Sequence, residues 1–179
     1  MKGVTVWFTG LPCSGKSTIA DRLADVLKND GYKVERLDGD IIRKSPISKD
    51  LGFTKEDRRK NLERVAFIAK LLSRNGIIVL ATFVSPYNEI RRDIRSIIGE
   101  DRFLLVYTKC SLKVCMERDV KGMYAKALKG EIENFTGIDD PFEEPINPKA
   151  DLIVETDKES VEESVERVIK FLRRRGIIE

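Results

Sequence analysis

Histidine is absent from the 179-residue chain. That one absence excludes Ser-His-Asp triads, Cys-His nucleophiles and His-ligated zinc. Any chemistry must run on carboxylates, hydroxyls, Lys, Arg and backbone amides. Cysteine is scarce. Cys13, Cys110 and Cys115 form no CxxC pair and no disulfide framework, which fits a reducing cytoplasm. Charge of one sign is not in surplus: 33 Lys and Arg against 30 Asp and Glu give +3. A dedicated nucleic-acid binder carries a strong basic excess, so no nucleic-acid partner is expected. No stretch is long and apolar enough to span a bilayer. The first apolar run meets Gly10 and Pro12 too soon for a signal peptide, so no membrane partner is expected either. Glutamine is missing as well, while Lys, Glu and Ile are abundant, as in heat-adapted proteins.

What is present reads as one domain over residues 1–179, with 41% hydrophobic residues for a core. Apolar β-rich runs alternate with helical patterns, the signature of a parallel α/β sheet. Strands are expected at Val4 to Thr9, Lys33 to Leu37, Ile77 to Thr82, Phe103 to Tyr107 and Asp151 to Glu155. Helices are expected at Lys16 to Leu27, after a Thr54 cap, at Asn88 to Ile98 and at Leu112 to Arg118. Ser160 and Glu163 have capping-box spacing ahead of the last helix. Val120 to Lys149 is long, charged and rich in Gly, Pro and Asp near its end. It reads as a lid over roughly 120–149 or as a plain solvated excursion.

Gly10-Leu11-Pro12-Cys13-Ser14-Gly15-Lys16-Ser17 matches GxxxxGK[ST] in full, followed by Thr18. A β-run precedes it and an amphipathic helix follows, as the motif requires. Glycines let the backbone turn with its N–H groups inward, and the helix N-terminus adds its own attraction for phosphate. Lys16 can reach the β- and γ-phosphates of ATP, and Ser17 can hold Mg²⁺. Cys13 reads as a small packing residue. The motif alone gives nucleotide binding without choosing among kinase, ATPase and GTPase. The chain has no NKxD-type guanine motif.

Asp38-Gly39-Asp40-Ile41-Ile42-Arg43 follows the second strand, at the sheet edge where ligands bind in such folds. A carboxylate there can orient the metal or accept the proton of an attacking hydroxyl. Arg43 can grip an anion with its fork of donors. Arg58 and Asn61 are spaced i, i+3 on one helix face, so both can address one ligand.

Several further blocks make the pattern specific. They are Leu51-Gly52-Phe53-Thr54 through Asp57-Arg58 and Asn61, then Ser85-Pro86-Tyr87, then Arg118-Asp119-Val120-Lys121-Gly122-Met123-Tyr124. Gly130-Glu131-Ile132 and Asn134 to Pro141 complete the set. With the phosphate loop and Asp38-Gly39-Asp40, the chain resembles the adenylylsulfate kinase family over nearly its whole length. The resemblance implies a three-layer P-loop NTPase fold: a parallel five-stranded sheet, helices on both faces and a lid segment. It implies transfer of phosphoryl from ATP to adenosine 5′-phosphosulfate, and a homodimer.

By the same resemblance Asp40, Arg43, Phe53, Arg58, Asn61, Val84, Ser85, Lys121, Asn134 and Phe135 line the acceptor site. Phe53 and Phe135 suit stacking on adenine, and Arg43 and Arg58 suit the phosphosulfate. Lys16, Asp38, Asp40 and Ser85 are the catalytic candidates, with Ser17 and Asp38 on the metal. The Ser matching Ser85 is described in bacterial relatives as a phosphoserine intermediate. With no His to activate it, direct in-line transfer is the preferred reading. The chain departs from the family at Lys44-Ser45-Pro46-Ile47-Ser48, at Val120 and at Met123. A kinase for another hydroxyl acceptor, such as a sugar acid, and a non-catalytic adenylylsulfate-binding module are the competing readings.

Overall fold

The structure, a computed structural model, describes residues 2–179. Five strands form one parallel sheet in the order β2-β3-β1-β4-β5: β1 (Val4–Thr9), β2 (Val34–Asp38), β3 (Ile78–Thr82), β4 (Phe103–Lys109) and β5 (Leu152–Glu155). The helices are α1 (Lys16–Asn29), α2 (Gly39–Lys44), α3 (Lys55–Arg74), α4 (Asn88–Ile98), α5 (Leu112–Arg118), α6 (Met123–Leu128) and α7 (Val161–Arg174). The expected five-stranded parallel sheet with helices on both faces is what the chain forms.

The alternation of side chains along each strand builds the layers. Val4, Val6 and Phe8 of β1, with Leu80 and Val106, meet α1 and α7 in one apolar cluster. Trp7, with Val79, Ala81 and Leu105, meets α3 and α4 in another. β1 and β3 are buried along their whole length, threonines included, since both faces are covered. A third, smaller cluster holds Cys110, Cys115 and Tyr124 against Leu11, Cys13, Phe135 and Ile138. Burial pushes the Cys115 thiol up to about 12, so it is an inert packing group.

Strand and helix ends shift by a residue or two from the periodicity reading, which is ordinary fraying. The capping predictions hold in atomic detail. Thr54 Oγ1 accepts from Asp57 N at 3.1 Å, and Ser160 and Glu163 form a reciprocal capping box.

Two short helices carried no periodic signal. α2 is six residues long and is nucleated by its N-cap, Asp38, whose Oδ1 accepts from the amides of Asp40 and Ile41. α6 lies inside the 120–149 segment and is capped by Asp119, whose carboxylate accepts from Tyr124 N and Ala125 N. Its Tyr124 and Ala127 are buried. This part of the segment therefore has a small local core, while most of 120–149 is exposed or half-buried. The departure at 44–48 is well seated. Ser48 is fully buried, and Arg64 Nη1 donates to Ile47 O at 2.6 Å.

Candidate active site

The phosphate loop lies between β1 and α1, and its geometry demands particular residues. A Cβ on Gly10 would meet Thr108 Oγ1 at 2.4 Å, Ser14 Oγ at 2.6 Å and the Thr108 carbonyl at 2.6 Å. Gly15 sits at φ 96°, where only glycine is unstrained. The loop's carbonyls are held from outside. Tyr124 Oη donates to Pro12 O at 2.8 Å, Arg118 Nη1 to Cys13 O at 3.2 Å, and Thr156 Oγ1 to Ser14 O at 2.6 Å. Pulling carbonyls outward leaves the amides free to face an anion, as phosphate recognition requires. None of these three struts has a spacing signal. Arg118 and Tyr124 were visible only as members of a motif block, and Thr156 not at all.

Lys16 Nζ donates to Gly10 O at 2.9 Å and to Leu11 O at 2.8 Å. Burial lowers its pKa from 10.5 to about 8. A cation so poorly solvated gains strongly from an approaching polyphosphate. Ser17 and Thr18 are exposed at the first turn of α1.

Asp38 joins the two halves. While its Oδ1 caps α2, its Oδ2 accepts from Ser17 Oγ at 3.0 Å and from Thr82 Oγ1 at 3.2 Å. Arg36, which no sequence signal marked, lies below it. Its Nη2 is 3.7 Å from Asp38 Oδ2, and its Nε is bound to Asp21 at 2.8 Å. Asp40 points elsewhere. It is exposed and paired with Lys121 from the 120–149 segment. The two neighbouring carboxylates therefore have different surroundings.

Beyond α2, Arg43 donates to Gly52 O, and its guanidinium lies 4.5 Å from the centre of the Phe53 ring. Phe53 is 58% exposed. Burial and the neighbouring Arg58 both push the Arg43 pKa down.

Arg58 is buried and mostly occupied by protein. Nε donates to Phe53 O at 2.9 Å, Nη1 to Thr136 Oγ1 at 2.5 Å and Nη2 to Asn134 O, with Asp140 3.3 Å away. It ties the Phe53 loop to the Asn134–Phe135 loop. Asn61, one turn on, is 3% exposed, and among the described residues its Oδ1 has no hydrogen-bond partner. Phe135 packs edge-on against Tyr124 at 5.0 Å, in the cluster that also holds Leu11 and Cys13 of the phosphate loop. Asn134 takes the left-handed conformation at φ 56°.

Val84 is half-buried, and its carbonyl accepts from Thr9 Oγ1 at 2.7 Å. Ser85 is 2% exposed. Its hydroxyl accepts from Trp7 Nε1 at 3.1 Å and lies 3.0 Å from Thr9 Oγ1 and 3.1 Å from Phe83 O. That hydroxyl is engaged inside the protein.

The family model for adenylylsulphate kinase matches residues 2–155. The chain belongs to the adenylylsulfate kinase family. An adenylyl-sulfate kinase from Halothermothrix orenii is 56% identical over 99% of this chain and 93% of its own length. One from a Picosynechococcus strain is 50% identical over 99% and 97%. Among solved structures, the APS kinase of Mycobacterium tuberculosis in complex with AMPPNP and APS is 41% identical. It superimposes with a TM-score of 0.91 over 96% of this chain and 98% of that one. A gluconokinase from Sinorhizobium meliloti, at 18% identity and a TM-score of 0.65, shares the fold. Like these adenylylsulfate kinases, the chain is a P-loop kinase.

Proposed function

We propose that this enzyme transfers the γ-phosphoryl group of ATP to the 3′-hydroxyl of adenosine 5′-phosphosulfate, giving 3′-phosphoadenosine 5′-phosphosulfate and ADP. The observation that carries the reading is the contact between the phosphate loop and the acceptor side, Ser17 Oγ to Asp38 Oδ2 at 3.0 Å. It is supported by the relative whose structure holds APS and an ATP analogue.

The phosphate-loop residues Gly10 to Thr18 wrap the triphosphate, and Lys16 exchanges two carbonyl partners for phosphate oxygens. Ser17 and Asp38 suit Mg²⁺. They are two hard oxygen donors, and among the described residues no cluster of three or more acidic, Cys or His ligands forms an all-protein cage. Mg²⁺ shared with a nucleotide needs only one or two protein ligands. When bound, it would neutralise charge on the transferring group. Asp40, free of structural duties on α2, orients the 3′-hydroxyl and takes its proton, with Lys121 as its counter-charge. Phe53 and Phe135 hold the adenine of the acceptor, Asn61 and Val84 flank it, and Arg43 faces its phosphosulfate. Arg58 fixes the Phe53 and Asn134 loops relative to each other.

The 120–149 segment serves as the lid. Its Lys121 and Tyr124 already reach the acceptor carboxylate and the phosphate loop. Closure excludes water, which limits ATP hydrolysis. The working form is a cytoplasmic homodimer. Among the described residues no helix is long and apolar enough to cross a membrane.

A coupled ADP-release assay across acceptors tests the reading. Turnover is expected with adenosine 5′-phosphosulfate and not with gluconate or shikimate. The opposite preference would support the sugar-acid alternative. ATP-independent binding of adenosine 5′-phosphosulfate without any ADP release would support a regulatory module.

A further inference from the structure

Arg91 has 0% exposure, and no step of the proposed reaction uses it. Its guanidinium sits where three pieces of chain meet. Nη1 donates to Ser85 O at 2.7 Å, on the loop after β3. Nη2 donates to Glu143 O at 2.5 Å, on the returning limb of the 120–149 segment, and to Asn88 Oδ1 at 2.9 Å. The Phe142 ring covers it, 5.6 Å from Cζ. Nε has no partner.

Asn88 extends the same junction. Its Oδ1 accepts from Ile146 N at 3.2 Å, and its Nδ2 donates to Glu144 O at 3.0 Å. The limb answers through Glu143 N, which donates to Pro86 O at 2.8 Å.

Burying a guanidinium among carbonyl dipoles is costly, and an apolar side chain of similar volume would fill the space at lower desolvation cost. Such a side chain would not hold two backbone carbonyls from different segments. One of those carbonyls belongs to Ser85, at φ 41° in the left-handed region. A non-glycine residue stays there only if its surroundings over-determine it. Arg91 supplies that constraint on one side, and the Trp7 and Thr9 contacts supply it on the other.

We propose that Arg91 is a positioning residue for the acceptor nucleotide. It locks the Val84–Ser85 backbone to the root of the lid, so that the acceptor surface and the closing segment move as one body. The inference rests on the reading that Val84 and Ser85 border the acceptor. It assigns Arg91 no contact with either nucleotide.

Arg91→Met and Arg91→Lys in the full chain test it by three readouts. These are steady-state kinetics with each substrate varied, affinity for AMPPNP, and backbone hydrogen exchange of peptides covering 142–147 and α7. For Arg91→Met we expect KM for adenosine 5′-phosphosulfate to rise about tenfold or more, with AMPPNP affinity within about twofold of wild type. Exchange should quicken in 142–147 and stay unchanged in α7, and Arg91→Lys should recover part of the lost KM.

A wild-type KM for the acceptor in folded Arg91→Met overturns the proposal. So do parallel losses for both nucleotides with uniformly faster exchange, the mark of a merely structural residue. If Arg91→Met does not fold, Asn88→Ala carries the same expectations, because it frees the limb without emptying the core position. A wild-type KM there is equally fatal. If the wild type itself fails to phosphorylate adenosine 5′-phosphosulfate, the acceptor reading falls. The exchange readout then still decides whether Arg91 fixes the limb, and unchanged exchange in 142–147 overturns that too.

Discussion

Ser17 Oγ and Asp38 Oδ2 lie 3.0 Å apart although 21 residues separate them in the chain. One belongs to the phosphate loop, and the other is the N-cap of α2, on the side proposed to hold the acceptor. Asp38 therefore has two duties, with a different oxygen for each. Asn retains the capping ability of Asp but not its charge. Asp38→Asn should fold with nearly unchanged melting temperature and lose roughly a hundredfold or more in kcat, partly recovered by raised Mg²⁺. Titrating activity against Mg²⁺ in both proteins checks this. An unchanged Mg²⁺ dependence would remove Asp38 from the metal.

Ser85→Ala should keep substantial turnover, because the Ser85 hydroxyl is turned into the protein and bonded to Trp7 and Thr9. It should be destabilised by about 1–3 kcal/mol, since Trp7 Nε1 is left buried without an acceptor. Thermal denaturation and initial rates read both effects. A fall of several orders of magnitude in kcat with normal nucleotide binding would instead support a phosphoserine route.

Lys16 gives the enzyme a pH signature. Its pKa is lowered from 10.5 to about 8 by burial. Between those values the unfolded chain keeps a proton that the folded chain has released. This group therefore makes stability rise as pH climbs from 8 towards 10.5, and its unfavourable contribution is full below 8. Phosphate oxygens favour the charged form, so ATP binding should draw a proton from the buffer. Calorimetry at pH 8 in buffers of different ionisation enthalpy should show uptake of about half a proton. The uptake should vanish in Lys16→Met. Binding enthalpies independent of buffer at pH 8 would contradict the shift.

Phe53 and Phe135 should behave differently when truncated. Phe53 is 58% exposed, so Phe53→Ala should leave stability within about 0.5 kcal/mol. It should weaken the acceptor by about 1–3 kcal/mol through lost stacking. Phe135 packs against Tyr124, so Phe135→Ala should lower the melting temperature as well. Parallel melting curves and acceptor KM values separate the two. Equal acceptor KM for wild type and Phe53→Ala would remove that ring from the site.

Much of this was legible in the residues. β1 and β3 announce themselves as short, β-rich and mostly apolar runs because helices cover both sheet faces. The phosphate loop follows from glycines forced by close approach, as Gly10 against Thr108 shows. The family resemblance implies the full proposed acceptor set, while the residues alone pointed to Asp40 and Arg43 at the end of β2 and to Arg58 and Asn61 by their i, i+3 spacing. What stayed hidden depends on long-range closure. α2 and α6 are too short for a helical period and exist through Asp38 and Asp119 caps. The i, i+3 spacing of Arg58 and Asn61 suggests only that both face one ligand, and the family resemblance adds the phosphosulfate to Arg58. Only the fold brings Asn134 and Thr136 around to occupy it. Arg91 resembled any arginine on an amphipathic helix until the 142–147 limb closed over it.

The most direct test of the account is identification of the product formed from MgATP and adenosine 5′-phosphosulfate by mass spectrometry and phosphorus NMR. The account predicts a new phosphate on the ribose 3′-oxygen, formed in step with ADP and lost in Lys16→Ala. Release of ADP with only inorganic phosphate, or recovery of the acceptor unchanged, would contradict it.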